Sequence, residues 1–135
     1  MRIGLVGLGF MGSRIAHLLL RHDHELLVYD RHSTAIGDLV ATGAHGAGSG
    51  AELAAASELI LTCLPGPAEV EDVLLAPQSG VLANAATGTT IVDHTTNAHR
   101  LAVQVAGRCD QRGIRFIDAP VTGRPPKLTI FAGSD

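Results

Sequence analysis

The feature that most constrains this chain is Gly7-Leu8-Gly9-Phe10-Met11-Gly12, a G-x-G-x-x-G run between two segments of different periodicity. Before it, Arg2–Val6 carries Ile3, Leu5 and Val6 and reads as a strand. After it, Met11, Ile15, Leu18 and Leu19 recur at i, i+4, i+7 and i+8, which predicts a helix over Met11–Arg21. Alone, the glycine pattern is weak; between a strand and a helix it describes a turn able to grip a diphosphate. Gly7 allows the tight turn, Gly9 lets phosphate approach bare backbone, and Gly12 lets the helix pack closely on the strand. The helix start adds free N–H groups and the positive end of its dipole. The G-K-[ST] ending of a P-loop is missing, which excludes that fold, whereas an S-adenosylmethionine-binding fold remains an alternative.

The rest of the chain keeps alternating. Strands are expected at Glu25–Asp30, Glu58–Leu64, Thr89–Asp93 and Ile114–Asp118, with one more at Lys127–Ala132. Their continuous apolar runs, such as Leu26-Leu27-Val28-Tyr29, suit parallel strands covered on both faces. Ser33 is placed to cap a helix reaching about Ala41 and ended by Gly43. Ser49-Gly50-Ala51-Glu52 has the S-x-x-E form of a capping box. Pro65-Gly66-Pro67 breaks a strand ahead of a helix bearing Val70, Val73 and Leu74, and Asn97–Arg112 forms a helix stopped by Gly113. The fold class is therefore α/β, a Rossmann-type doubly wound, mostly parallel sheet with helices on both faces.

The 135 residues make one domain, with no linker or repeat in sight. A net charge of −3 with 10 Lys+Arg argues against a nucleic-acid partner. No apolar run approaches the ~20 residues of a membrane helix, and the start does not read as a signal peptide. Two cysteines, Cys63 and Cys109, form no disulfide framework, so a reducing, cytoplasmic setting is the default. The histidines fit no metal-ligand spacing, and no metal is expected.

In a doubly wound sheet, ligands lie beyond the carboxyl ends of the strands. Asp30 ends the second strand, about where an acid binding both ribose hydroxyls of a dinucleotide belongs. It would repel a 2′-phosphate and so favours NAD. Arg31 next to it could pair with that phosphate and keeps NADP open. The later strand ends carry Cys63-Leu64-Pro65-Gly66, Asp93-His94-Thr95-Thr96-Asn97 and Asp118-Ala119-Pro120-Val121-Thr122-Gly123.

Together these segments resemble the β-hydroxyacid dehydrogenase family, the group of 3-hydroxyisobutyrate and 6-phosphogluconate dehydrogenases. Ile3–Gly12 looks like the family's opening G-L-G-x-M-G, Thr62–Pro65 like its L-P turn, and Asp93–Thr96 like its D-x-S-T segment. Asp118–Gly123 is close to its substrate signature D-A-P-V-S-G-G. The resemblance covers nearly the whole chain in order. It implies NAD(P)-dependent hydride transfer at the β-hydroxy group of a small hydroxy acid. The cofactor would be held by Gly7, Leu8, Gly9, Phe10, Met11 and Gly12, with Asp30 and Arg31 at the ribose. Cys63, Leu64 and Pro65 would lie along the adenosine side, and Thr95 and Thr96 near the nicotinamide. Thr122 and Gly123 would hold the substrate carboxylate. Arg124 replaces the signature's second glycine and either clamps that carboxylate or points to solvent. Imine reductases share the architecture, so C=N chemistry is an alternative. A stand-alone regulatory NAD-binding module is another, though it would not be expected to carry the Leu64-Pro65 and Asp118–Gly123 segments.

Plainer roles compete at several positions. Thr95 or Thr96 can cap a helix, Asp93 and Asp118 can anchor loops, and Cys63 and Cys109 can be small buried hydrophobes. His94 is the one histidine beside the expected nicotinamide. Catalysis also needs a proton donor. The family supplies a lysine from a G-x-x-x-K-x-x-N setting in a C-terminal helical domain. The sole lysine here, Lys127, does not match that setting, and the catalytic residue is unassigned. The expectation is a cofactor-binding domain over residues 1–135 that binds dinucleotide with little or no turnover, and whose self-association stays open.

Overall fold

The computed structural model of the chain describes residues 1–124 and 127–133. Five strands, β1 (Arg2–Val6), β2 (Glu25–Tyr29), β4 (Leu59–Thr62), β5 (Thr90–Asp93) and β6 (Arg115–Asp118), form a parallel sheet with a two-residue β3 (His45–Gly46) at its edge. The order is β3-β2-β1-β4-β5-β6. The chain thus grows one way from β1 to β3, then returns to lay β4 on the other side of β1. Right-handed crossovers in opposite directions place their helices on opposite faces. Helices α1 (Phe10–Leu19) and α2 (Ser33–Val40) cover one face; α3 (Gly50–Ala56), α4 (Pro67–Leu75), α5 (Val81–Asn84) and α6 (His99–Asp110) cover the other.

The strand alternation feeds two cores. Ile3, Leu5, Leu26 and Val28 pack under α1 and α2 with Ala16 and Leu39. Val6, Ile60 and Ile91 pack on the opposite side with Leu53, Val70, Leu74 and Val105. Strands buried on both faces are why their sequences run apolar without a break. Each fully buried Leu or Ile contributes roughly 1.5–3 kcal/mol.

Boundaries follow local chemistry. Ser49 caps α3 by accepting from the Glu52 N–H at 3.1 Å, and the Glu52 carboxylate reaches back to the Gly48 N–H at 2.8 Å. Pro67 opens α4, where its missing N–H costs nothing. The expectation that Ser33 caps α2 is corrected: the cap is His32, with extended backbone, and the helix starts at Ser33. Three elements are additional to the sequence reading: β3, α5 and β7 (Val121–Arg124). The last forms an antiparallel hairpin with β8 (Lys127–Ile130), apart from the main sheet. Lys127–Ala132 is shortened accordingly. Pro125, Pro126 and the side chain of Arg124 lie outside the described residues, and with them the expected carboxylate clamp. Among the described residues, no helix is long and apolar enough to cross a membrane.

Candidate functional site

The reversal of strand order between β1 and β4 opens a crevice at their carboxyl ends. A cleft of roughly 530 Å³ lies there, lined by Gly7, Gly9, Phe10, Met11 and Gly12 from the glycine turn. Tyr29 at the end of β2 and Asp30, Arg31 and His32 after it lie along one wall, and Cys63, Leu64, Pro65, Glu69 and Val73 form the other. That volume is ordinary for a small-molecule or cofactor site.

The three glycines differ in what demands them. Gly7 has φ +94°, and a Cβ there would strike the Cys63 carbonyl just past the end of the neighbouring strand β4. A Cβ on Gly12 would run into the Gly7 carbonyl oxygen. Both are therefore required by the fold itself. Gly9 is not: its φ is −65°, and among the described residues nothing lies within 4 Å of where its Cβ would stand. Gly9 is also the N-cap of α1, and no side chain among the described residues caps that helix. The first N–H groups of a helix lack intrahelical acceptors, so bare amides face bare space here.

The turn is braced from beneath. The Leu8 N–H donates to Asp30 Oδ2 at 2.6 Å, the Ser13 hydroxyl donates to the Leu8 carbonyl at 2.7 Å, and the Gly7 N–H donates to the Tyr29 carbonyl at 3.0 Å. The Leu8 side chain is buried under α1, so Leu8 holds the turn without lining the cleft. Asp30 Oδ1 accepts from the His32 N–H at 2.8 Å. A carboxylate has about four acceptor positions; two are occupied, which leaves room for a pair of hydroxyls. Phe10 is 69% exposed at the cleft edge, with the Arg14 guanidinium carbon 3.5 Å from its ring centroid. Ser13 and Arg14 were not singled out from sequence; only the turn's three-dimensional path brings them in.

Behind the cleft, Asp93 is fully buried and joins the end of β4 to the loop that follows β5. Its Oδ1 accepts from the Thr62 hydroxyl at 2.8 Å and the Thr95 N–H at 3.0 Å, and its Oδ2 from the Asn97 amide at 3.2 Å. Thr95 is also buried, and its hydroxyl accepts the Leu64 N–H at 3.0 Å. Thr95 therefore fixes the Leu64-Pro65 turn from behind, while Thr96 beside it is exposed; neither lines the cleft. His94 Nδ1 lies 2.8 Å from the Ala119 carbonyl and carries the hydrogen toward it, tying β5 to the segment after β6. Thr122 and Gly123 lie exposed on β7, outside the cleft lining.

Burial, and then the nearby Asp93 charge, push the Cys63 thiol up to about 11, so it faces the cleft as a neutral S–H. Burial also raises the Asp118 carboxyl, with Asp93 adding to it; Asp118 Oδ1 has no partner among the described residues. Among the described residues, no group of three or more His, Cys, Asp or Glu could hold a metal ion.

A family profile described as the NAD binding domain of 6-phosphogluconate dehydrogenase matches residues 2–133. The chain belongs to this NAD(P)-binding family. A probable 3-hydroxyisobutyrate dehydrogenase-like protein of Arabidopsis thaliana, described as mitochondrial, is 34% identical over 139 residues, covering 99% of this chain and 42% of the relative. The structure of Psf3 in complex with NADP+ and 2-OPP is 32% identical with a TM-score of 0.86, over 90% of this chain and 43% of that one. An imine reductase from a Pseudomonas species is 29% identical with a TM-score of 0.78, over 92% and 42%. The chain thus spans less than half the length of the proteins it resembles. Their shared fold confirms the Rossmann-type reading, and the family is one of oxidoreductases.

Proposed function

We propose that residues 1–135 are the NAD(P)-binding domain of an oxidoreductase that transfers hydride at the β-hydroxy group of a small hydroxy acid. The observation that carries the reading is Gly9: an open Cβ direction over an uncapped helix start, at a position where the fold does not itself need glycine. The amides of the glycine turn would hold the diphosphate, and the free acceptor positions of Asp30 would take the ribose hydroxyls. Leu64 and Pro65 would support the cofactor from the opposite wall. The exposed Thr96 hydroxyl would stand toward the nicotinamide, with Thr95 keeping that rim in register. Thr122 and Gly123 would meet the substrate carboxylate. Bound NAD(P) supplies the hydride acceptor. The acid–base group is unassigned among these residues, and their turnover alone is expected to be slight.

Titrating NAD, NADP and S-adenosylmethionine, with thermal unfolding as the readout, tests this. Dinucleotide at one hundred times its Kd should add about 2.7 kcal/mol and raise Tm by roughly 10 °C. A flat response to both dinucleotides overturns the reading, and a response to S-adenosylmethionine alone replaces it with a methyltransferase-type domain. Brisk hydroxy-acid oxidation by these 135 residues would overturn the expectation of slight turnover. The imine reductase likeness supports a second reading, in which a C=N group stands where the carbonyl would. Imine-dependent oxidation of reduced cofactor, without hydroxy-acid oxidation, would select it.

A further inference from the structure

Arg31, which lines the cleft, pairs with Asp72 on the helix that supplies Glu69 and Val73 to the same cleft. Arg31 follows β2 and lines one wall; Asp72 sits on α4, between Glu69 and Val73 in the sense that all three share the helix forming the other wall. Their charged ends are 3.5 Å apart, and both side chains are more than half exposed. The guanidinium is therefore turned toward α4, to a carboxylate that does not itself line the cleft. Two further carboxylates, Asp30 and Glu69, line the same cleft.

We propose that Asp72 governs the choice between NAD and NADP by holding Arg31. This rests on the dinucleotide reading above and adds to it a positioning residue on α4. A guanidinium can fork onto a carboxylate or a phosphate, and one already facing Asp72 must release it to meet a 2′-phosphate. A 2′-phosphate at this rim also meets the negative charge of Asp30, which the ribose hydroxyls of NAD use as an acceptor. With Asp72 in place, NADP therefore has to compete for its cation, whereas NAD does not need it. Removing the Asp72 charge frees Arg31 and shifts the preference toward NADP.

The experiment measures Kd for NAD and NADP by calorimetry in the wild-type chain, Asp72→Asn, Arg31→Gln and the double variant. Glu71→Gln removes the neighbouring charge on α4 as a control. Asp72→Asn should tighten NADP roughly three- to fivefold, the scale of an exposed ion pair, and leave NAD within about twofold. In the Arg31→Gln background the same change should move NADP less than about twofold, and Glu71→Gln should leave the ratio in place. A merely structural role for Asp72 would move both nucleotides together. A chain that binds both nucleotides but whose preference is unmoved by Asp72→Asn, or moves equally with and without Arg31, overturns this inference alone. A wild-type chain that binds neither overturns the dinucleotide reading, and this inference with it.

Discussion

Replacing Gly9 and Gly12 by alanine should separate binding from folding within one turn. At Gly9 the backbone φ of −65° suits alanine, and the new methyl meets none of the described residues. Alanine is a poorer N-cap than glycine by a few tenths to about 1 kcal/mol, but it restricts the unfolded chain by about 0.4–1 kcal/mol. The net change in stability should stay within about 0.5 kcal/mol. The methyl does occupy the space over the α1 amides, and loss of one or two hydrogen bonds to a charged phosphate removes about 2–4 kcal/mol of binding. NAD Kd should rise roughly thirtyfold to several hundredfold. At Gly12 the methyl meets the Gly7 carbonyl, which is backbone and cannot swing away. That change should destabilise the fold by about 3 kcal/mol and lower Tm by roughly 10 °C. Urea unfolding and calorimetric titration of both variants decide the matter. If Gly9→Ala binds NAD as the wild type does, or unfolds as readily as Gly12→Ala, the reasoning about this turn is wrong.

Asp30→Ala should weaken NAD more than NADP, as loss of a ribose acceptor requires, and also lower stability by about 1–3 kcal/mol because the Leu8 N–H loses its acceptor; equal weakening of both nucleotides would remove the ribose contact from the account. Ser49→Ala should cost about 1 kcal/mol in denaturant unfolding with no effect on nucleotide affinity. Cys63 should resist alkylation at neutral pH and react faster as pH rises toward 11, and bound NAD should slow it further because the residue lines the cleft. Both thiols are raised in the folded chain, Cys63 to about 11 and Cys109 to about 12, from 9.0. Folding therefore opposes their ionisation, and urea stability should decline as pH climbs from about 9 through 11.

The path of the sheet was legible because Gly7, Gly12 and the apolar runs around Ile60 and Ile91 each have one plausible use in a parallel sheet. The additions share a cause: they are too short, or too poor in strand formers, to carry a period. His45–Gly46 offers two residues, Val81–Asn84 one helical turn, and β7 is four residues long with Gly123, a poor strand former, inside it. Within the site, the cleft residues from the glycine turn, Asp30-Arg31 and Cys63–Pro65 could be named from strand ends. The contacts that hold them could not. Leu8 meets Asp30 across 22 positions and Leu64 meets Thr95 across 31, and both depend on registers such as Val6 opposite Tyr29 and Thr62 opposite Asp93. The hydroxyl of Thr95, a residue matched by motif to the nicotinamide rim, accepts the Leu64 amide, a contact the motif alone does not reveal.

The bond between the Leu8 amide and Asp30 has an evolutionary consequence. A lineage that swaps this acid to accommodate a phosphorylated sugar also strips the support from the loop below it, so preference and integrity would change in the same step. The Arg31–Asp72 contact is exposed and carries no such structural duty. On the role proposed for Asp72, drift at that helix surface would be the gentler route by which descendants of this domain exchange one coenzyme for the other.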